Sequence, residues 1–498
     1  MALTQTILLT LSLSIFGARA HSVNTAHACV QLFLSLPGQI FFHDNKNYEE
    51  SIASYEYIGT RLRPTCIARP KTTTDVATIV KTLSKFSTVQ FAVRSGGHNT
   101  NIGFADIEDG ITIDLSNMNE IQLQTPSEVV SVGPGARWQS VYAVLDPYNI
   151  SIQGGRNGAV GVGGYLTGGG ISFFSTQRGW ACDSVVNFEV VLSSGAIVNA
   201  NATSYSDLFA ALKGGLNNFG IVTRFDLETF AQGPMWGGVI LYPNSTDVEL
   251  LETLTALKAP GKYNPNVMFT FGFLYDSAKD SYMAQIAMYH SQPDNVNVSS
   301  LQTFADIQPQ IYNSIRLASP GDFAGEGAET ITQSYYMDWS TTTFSITPLI
   351  LPKIHESFKQ TSRALTADYS PANLTIAMSI QSVPPAAPAS KPNSLGFDPA
   401  LHPEDHLYNI GIAFQYDDPA ATESLRQAIK KFTGDLDRIA DAEGARDEHL
   451  YLNYAGDWQE VLAGYGNESL TEMRRVSTKY DGSGMFQKQV RGGFKLFG

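Results

Sequence analysis

Nine glycines fall between positions 154 and 170, as Gly154-Gly155, Gly158, Gly161, Gly163-Gly164 and Gly168-Gly169-Gly170. Glycine loses more backbone freedom on folding than any other residue. A globular chain keeps such a run where backbone must pack close to something flat or charged. A flexible linker is the alternative, but Val160, Val162, Tyr165 and Leu166 interleave with the glycines and do not favour water. No Gly-Lys-Ser/Thr follows, so the run is not a Walker phosphate loop. No strand-helix-strand unit with a later acidic residue surrounds it, so a Rossmann fingerprint is a poor description.

Two further segments have the same character. Arg94-Ser95-Gly96-Gly97-His98-Asn99 runs off a strand expected at 90–93. Consecutive small residues after a strand let backbone N–H groups converge on an anion such as a pyrophosphate. The histidine that ends the loop is either an ordinary hydrogen-bonded side chain or a nucleophile beside a bound cofactor. Farther on, a short helix from Asp207 gives way to Gly214-Gly215 and then to Asn218-Phe219-Gly220-Ile221-Val222, a turn entering a strand.

Between these segments, strands are expected at 111–115, 129–132 and 185–192, with a helix at 74–83 and a hairpin turn at Ser193-Ser194-Gly195. From 232 to 445 the texture changes. Alternating runs such as Val267 to Phe271 and Ile410 to Phe414 predict a sheet with one buried face. Helices are expected at 248–257, 350–365 and 420–440; in the last, Leu425, Ile429, Phe432, Leu436 and Ile439 form a core stripe. The stretch 383–392, rich in Pro, Ala and Ser, reads as an irregular loop bordering the substrate entrance. The expectation is an α+β chain of two domains, since 498 residues exceed what one core accommodates.

The N-terminus carries an apolar run, Ile7 to Phe16, before Ala18-Arg19-Ala20. This reads as a secretory signal peptide over 1–20, with a buried N-terminal helix as the alternative. The run is too short for a bilayer, which needs roughly 20 apolar residues. Six Asn-x-Ser/Thr sequons, at Asn149, Asn201, Asn244, Asn297, Asn373 and Asn467, suit a secreted glycoprotein. Of the three cysteines, Cys29 and Cys66 both precede the motif-rich region and are the expected disulfide; Cys182 reads as a buried, inert thiol. A net charge of −14 argues against nucleic acid and anionic membrane surfaces as partners. No metal site is read from the sequence.

Taken together and in this order, the three glycine-rich segments resemble the FAD-binding domain of the vanillyl-alcohol oxidase / p-cresol methylhydroxylase superfamily. The chain's end, Tyr451-Leu452-Asn453-Tyr454, Lys479-Tyr480-Asp481 and Phe486-Gln487, resembles the C-terminal segment of its berberine-bridge-enzyme-like branch. The resemblance covers roughly 60 to 498. It implies an FAD-binding domain at 60–231, a substrate domain at 232–445 built on an antiparallel sheet flanked by helices, and a segment at 446–498 that returns to the first domain. It also implies FAD bonded covalently to His98, with Arg94, Ser95, Gly96, Gly97 and Asn99 at the pyrophosphate and flavin. Gly161, Gly163, Gly164, Gly168, Gly169 and Gly170 would continue around the dinucleotide. Asn218, Gly220, Ile221 and Val222 would line its adenosine end.

Many members of the branch attach the flavin a second time, through a cysteine in Cys-Pro-x-Val-Gly-Val-x-Gly. Here Asn157 stands at that position, so one linkage is expected. Tyr451 matches the branch's tyrosine base and Asn453 its partner, although Tyr451 also reads as a packing aromatic with a satisfied hydroxyl. Asp457 is the alternative base, and Gln381 and Gln415 are possible polar contacts from the substrate sheet. Three functions stay open: an oxidase passing electrons from a small alcohol, sugar or similar molecule to O₂; a secondary-metabolite dehydrogenase or cyclase, as in many fungal-looking members; and a non-catalytic flavin-binding glycoprotein. The intact Gly-Gly-His and Tyr-x-Asn argue against the third.

Overall fold

Parallel strands need a crossover, and the stretch between Cys66–Ala68 and Phe91–Arg94 supplies one as the helix Thr73–Leu83. Thr72 and Asp75 form a capping box at its start. Ile111–Asp114 lies between these two strands, parallel to both, and Ile40–Phe41 adds an antiparallel edge. The computed structural model describes residues 23–124, 128–257, 264–292, 299–329, 334–368, 373–388, 390–397 and 407–497. The expected signal peptide and Asn297 lie outside them.

The first unit begins earlier than the expected residue 60. A helix over 23–35 packs Ala28, Cys29 and Leu32 into the same core as Val76, Ile79, Phe91 and Ile111. The Cys29–Cys66 disulfide ties that helix to the sheet, while Cys182 is free and buried. A second, antiparallel sheet follows in the order Ile121–Gln124, Val129–Val132, Ile221–Glu228, Val185–Val191, Ile197–Asn201.

The third sheet has nine strands among the described residues, all antiparallel neighbours. Its sequence alternates with period two, which sends successive side chains to opposite faces. Ile376, Met378 and Ile380 point into one core with Ile410, Ile412 and Phe414, beneath the helices Asp247–Leu257, Ile350–Asp368 and Thr422–Ala442. Their neighbours Thr375, Ala377, Ser379, Gly411, Ala413 and Gln415 face a cavity. The stripe expected on the last helix is buried through Leu425, Ile429, Phe432 and Leu436. Truncating a phenylalanine such as Phe432 there costs about 3–5 kcal/mol. That helix starts at Thr422, two residues later than expected, because Asp418 caps a 3₁₀ turn at Pro419–Ala421.

The segment after 446 folds back onto the first unit. Lys479, Tyr480 and Arg475 of the helix Gly466–Tyr480 converge on Asp207. Burial works to raise the Asp207 carboxyl, but these three partners outweigh it and hold it far below its ordinary value. Gln489 then donates to the carbonyls of Phe86 and Val89, and its own carbonyl accepts from Phe91 N. Among the described residues no helix is long and apolar enough to cross a membrane.

Candidate active site

The loop at 95–99 leaves the strand Phe91–Arg94 and needs a left-handed residue to turn, which Gly97 supplies at φ +70°. Arg94 is 2% exposed and lies under this turn rather than in the cavity. Its Nη1 donates to Ser51 O at 2.7 Å and its Nη2 to Ser54 Oγ at 2.7 Å; Asp114 sits 3.6 Å away, and the guanidinium stacks on Tyr55. The expected pyrophosphate contact from Arg94 is therefore corrected. A buried cation must be paired, and this one is paired within the protein.

Ser95 Oγ donates to Pro134 O at 2.5 Å and accepts from Gly163 N at 3.1 Å, clamping the histidine loop to the glycine run. Gly96 and Gly161 touch backbone to backbone; a Cβ on Gly96 would lie 2.5 Å from Gly161 Cα. The interlocked loops form one wall of a cavity of about 960 Å³. Ser95, Gly96, Gly97, His98 and Asn99 line it, as do Gly161, Gly163 and Gly164. Gly220, Ile221 and Val222 line another part, as do Tyr451 and Asn453, and Gln415 lines it from the large sheet.

Four expected cofactor contacts are elsewhere. Gly168 admits the Asn453 side chain, whose Oδ1 would lie 2.1 Å from an added Cβ. Gly169 and Gly170, at φ +105° and +82°, turn the chain against Trp180, Tyr165 and Ala181. Asn218 is fully buried and donates to Gly215 O and Phe494 O, while its own oxygen accepts from Gln487, so it fastens the C-terminal segment. Gln381 and Asp457 also stand back from the cavity. Gln381 is buried behind Arg156, and Asp457 pairs with Arg426. The loop 383–392, expected at the entrance, contributes no lining residue among those described.

Asn453 Nδ2 donates to Tyr165 O at 3.1 Å and to Tyr451 Oη at 3.2 Å. Burial pushes the Tyr451 hydroxyl well above the ordinary phenol value; Asn453 and the more distant Arg156 offset only part of this. Tyr451 is thus a phenol here, hydrogen-bonded by Asn453. Burial and the neighbouring Asp183 likewise push up the Cys182 thiol, consistent with an inert cysteine.

Several site residues had escaped the sequence reading. Asn101 links the histidine loop to the tyrosine segment, donating to Ala455 O at 2.8 Å and accepting from Asp457 N at 3.0 Å. Glu56 lies 3.8 Å from His98 Nδ1 and 3.9 Å from Arg137 Nη1. Burial raises its carboxyl, yet His98, Arg137 and Arg61 together bring it below its ordinary value. Arg156, on the glycine run itself, joins the run to the substrate sheet through Thr270 and Gln381.

The residues present fit a flavin dinucleotide. His98 lines the cavity, and its buried Nδ1 has no hydrogen-bond partner. A Cβ on Gly164 would meet nothing within 4 Å, so the backbone there is open to a ligand. Residues 64–201 match the family model described as an FAD binding domain. Fold and site define an FAD-linked oxidoreductase.

The chain belongs to the family of the fungal FAD-dependent monooxygenases, and it shares its fold with solved flavoprotein structures that include berberine bridge enzyme. It is 36% identical over 479 residues to the FAD-dependent monooxygenase sdcF of Emericella nidulans, covering 94% of this chain and 98% of that protein. The FAD-dependent monooxygenase drtC of Aspergillus calidoustus is 33% identical, with 95% and 90% covered. Among solved structures, 6-hydroxy-D-nicotine oxidase from Arthrobacter nicotinovorans superposes with a TM-score of 0.79 at 19% identity, covering 93% of this chain and 98% of that one. Xylooligosaccharide oxidase from Myceliophthora thermophila gives 0.73 at 22%, with 94% and 99% covered.

Proposed function

We propose that this protein holds FAD through one covalent bond, to His98, and oxidises a small organic substrate by hydride transfer, with O₂ as the final electron acceptor. The observation that carries the proposal is His98: an imidazole lining the cavity, whose buried Nδ1 makes no hydrogen bond and has the Glu56 carboxylate 3.8 Å away. FAD, when bound, supplies the two-electron acceptor, and the protein's part is to position and tune it. Gly96, Gly161 and Gly164 bring backbone close to the cofactor, and Asn99 and Val222 border it. Asn157 forms no second link; its Oδ1 accepts from Ala159 N and its Nδ2 donates to Gly327 O. Tyr451, oriented by Asn453, exchanges the proton of a substrate O–H as the adjacent C–H is broken.

The reading includes secretion and a place in natural-product tailoring. The disulfide supports an oxidising compartment. Asn149, Asn244 and Asn467 are exposed and open to glycosylation, whereas the exposed Asn373 spends its amide on Asp417 and the half-buried Asn201 spends its own on Asn187.

The test is acid precipitation of purified protein. Wild type and Asn157→Ala should keep the yellow colour in the pellet, and His98→Ala should release it. Wild-type protein that sheds all its FAD in acid would overturn the linkage. The relatives named monooxygenases favour a second reading, in which one atom of O₂ enters the product. Turnover under ¹⁸O₂ separates the two: the oxidase reading expects hydrogen peroxide and unlabelled product.

A further inference from the structure

The cavity holds a cation that no anion of the protein neutralises. Arg156 Nη1 donates to Thr270 Oγ1 at 2.5 Å, Nη2 to Gln381 Oε1 at 2.5 Å and to Tyr454 Oη at 3.3 Å, and Nε to Ile171 O at 3.3 Å. All four acceptors are neutral. Among the described residues no carboxylate lies within ion-pair distance of it, although the other charges in and beside the cavity are paired. Glu326 is matched by Arg316 at 2.8 Å, and Glu56 faces His98 and Arg137.

The guanidinium is also held in place. Gln381 is fully buried and its Nε2 donates to Asn409 Oδ1 at 3.2 Å, which leaves its oxygen turned to Arg156. Asn409 in turn donates to Thr341 Oγ1 at 2.5 Å. A guanidinium has five N–H donors, and the four bonds leave one on Nη1 without an acceptor among the described residues. Around it stand flat side chains that line the same cavity: Tyr289, Trp339, Tyr451 and Tyr454. A fixed cation with a spare donor, in an aromatic-walled and partly desolvated space, is far more effective on an anion than the same group in water.

We infer that Arg156 is the specificity-determining residue of this site and that the substrate is a planar organic acid bound through its oxyanion, an ionised phenol or enol or a carboxylate. The inference rests on the proposed oxidoreductase site and names its substrate class. It also accounts for a tyrosine that is not a phenolate. A substrate O–H whose anion is stabilised by Arg156 gives up its proton more readily, so Tyr451 can relay that proton, accepting one as it passes on its own, without first being a phenolate.

The experiment uses the purified holoprotein and calorimetric titration with benzoate and its neutral counterpart benzamide, and separately 4-nitrophenol followed by absorbance. Benzoate should bind at least ~10-fold more tightly than benzamide, the size of one charge-assisted hydrogen bond. Bound 4-nitrophenol should ionise at a pH lower by roughly one unit or more than free 4-nitrophenol. The arm with the larger effect identifies carboxylate or phenolate as the preferred source. In Arg156→Gln the charged-to-neutral preference should fall to about one; in Arg156→Lys, which keeps the charge and loses the fork, it should fall only in part. Equal binding of benzoate and benzamide by wild type, with no shift in 4-nitrophenol, overturns the inference, and this holds even where Arg156→Gln fails to fold. Retention of flavin in acid is read on the same preparation. Retained flavin without anion preference refutes the inference alone, and anion preference without retained flavin refutes the linkage alone.

Discussion

Replacing Gly168 by alanine perturbs Tyr451 without touching it. Gly168 has φ −99° and ψ 11°, outside the left-handed region, so its backbone does not exclude alanine. Its new methyl group would lie 2.1 Å from Asn453 Oδ1, 2.8 Å from Asn453 Cγ and 3.1 Å from Leu452 Cδ2. Asn453 must swing away and gives up its bonds to Tyr165 O and Tyr451 Oη. At about 0.5–1.5 kcal/mol net for each, the loss is about 1–3 kcal/mol. Part of it falls on the positioning of Tyr451, and since about 1.4 kcal/mol is a factor of ten, flavin reduction by substrate should slow roughly tenfold. The assay is anaerobic stopped-flow reduction, with thermal unfolding and acid precipitation alongside. Flavin should stay attached. Removing the Asn453 side chain removes the clash, so Gly168→Ala combined with Asn453→Ala should be no worse than Asn453→Ala alone. Additive losses in the double variant would show that Gly168 acts through something other than Asn453.

Tyr451→Phe should slow flavin reduction by about 10²–10⁴-fold with flavin retained; because burial raises the Tyr451 hydroxyl, any rise of the wild-type rate that depends on its ionisation belongs above pH 10, and an unchanged rate would discount the residue. Asp106 is pushed up to about 7, chiefly by burial, against the pull of Thr112, Ile107 N, Leu62 N and Arg94. Its folded-state value exceeds the unfolded one, so its contribution to stability is fully present below about pH 4 and lost as pH rises through about 7. The difference in melting temperature between pH 5 and pH 8 should therefore shrink in Asp106→Asn, and an unaltered difference would refute the assignment. Cys29→Ser should cost about 4 kcal/mol on the chain-entropy account of the closed loop; a non-reducing peptide map with Cys182 in a bridge would contradict the pairing. Protein from culture medium should begin at His21, which N-terminal sequencing checks.

Periodicity made the sheets and helices legible. Val129–Val132 lies where expected, and the hairpin at Ser193-Ser194-Gly195 joins two paired strands. Alternation along 410–414 marked a strand whose adjacent side chains meet different surroundings, the helix-covered core on one face and the cavity on the other, although all five residues are buried. The site was harder to read for a definite reason. A glycine in sequence records only that a Cβ is excluded, not by what, so Gly168, excluded by Asn453, looks the same as Gly164, which opens on the cavity. Arg94 has the local signature of an anion binder, but its partners are Ser51, Ser54 and Asp114, 43, 40 and 20 positions away in the chain. Arg156 carried a usable signal, as the one basic residue between Gly154 and Gly170. Two of its neutral partners, Thr270 and Gln381, lie on strands more than a hundred residues downstream.

The two-residue period of the large sheet divides labour between its faces. Ile376, Met378, Ile410 and Ile412 hold the helices, while Ala377, Ser379, Gly411 and Ala413, their immediate neighbours in sequence, present a floor of small side chains to the cavity. A mutation at Thr375, Ala377, Ser379, Gly411, Ala413 or Gln415 alters the shape offered to a substrate and leaves the packed face intact. Lineages of this scaffold can therefore diverge in diet without renegotiating their architecture, since two independent inheritances are interleaved along the same strands.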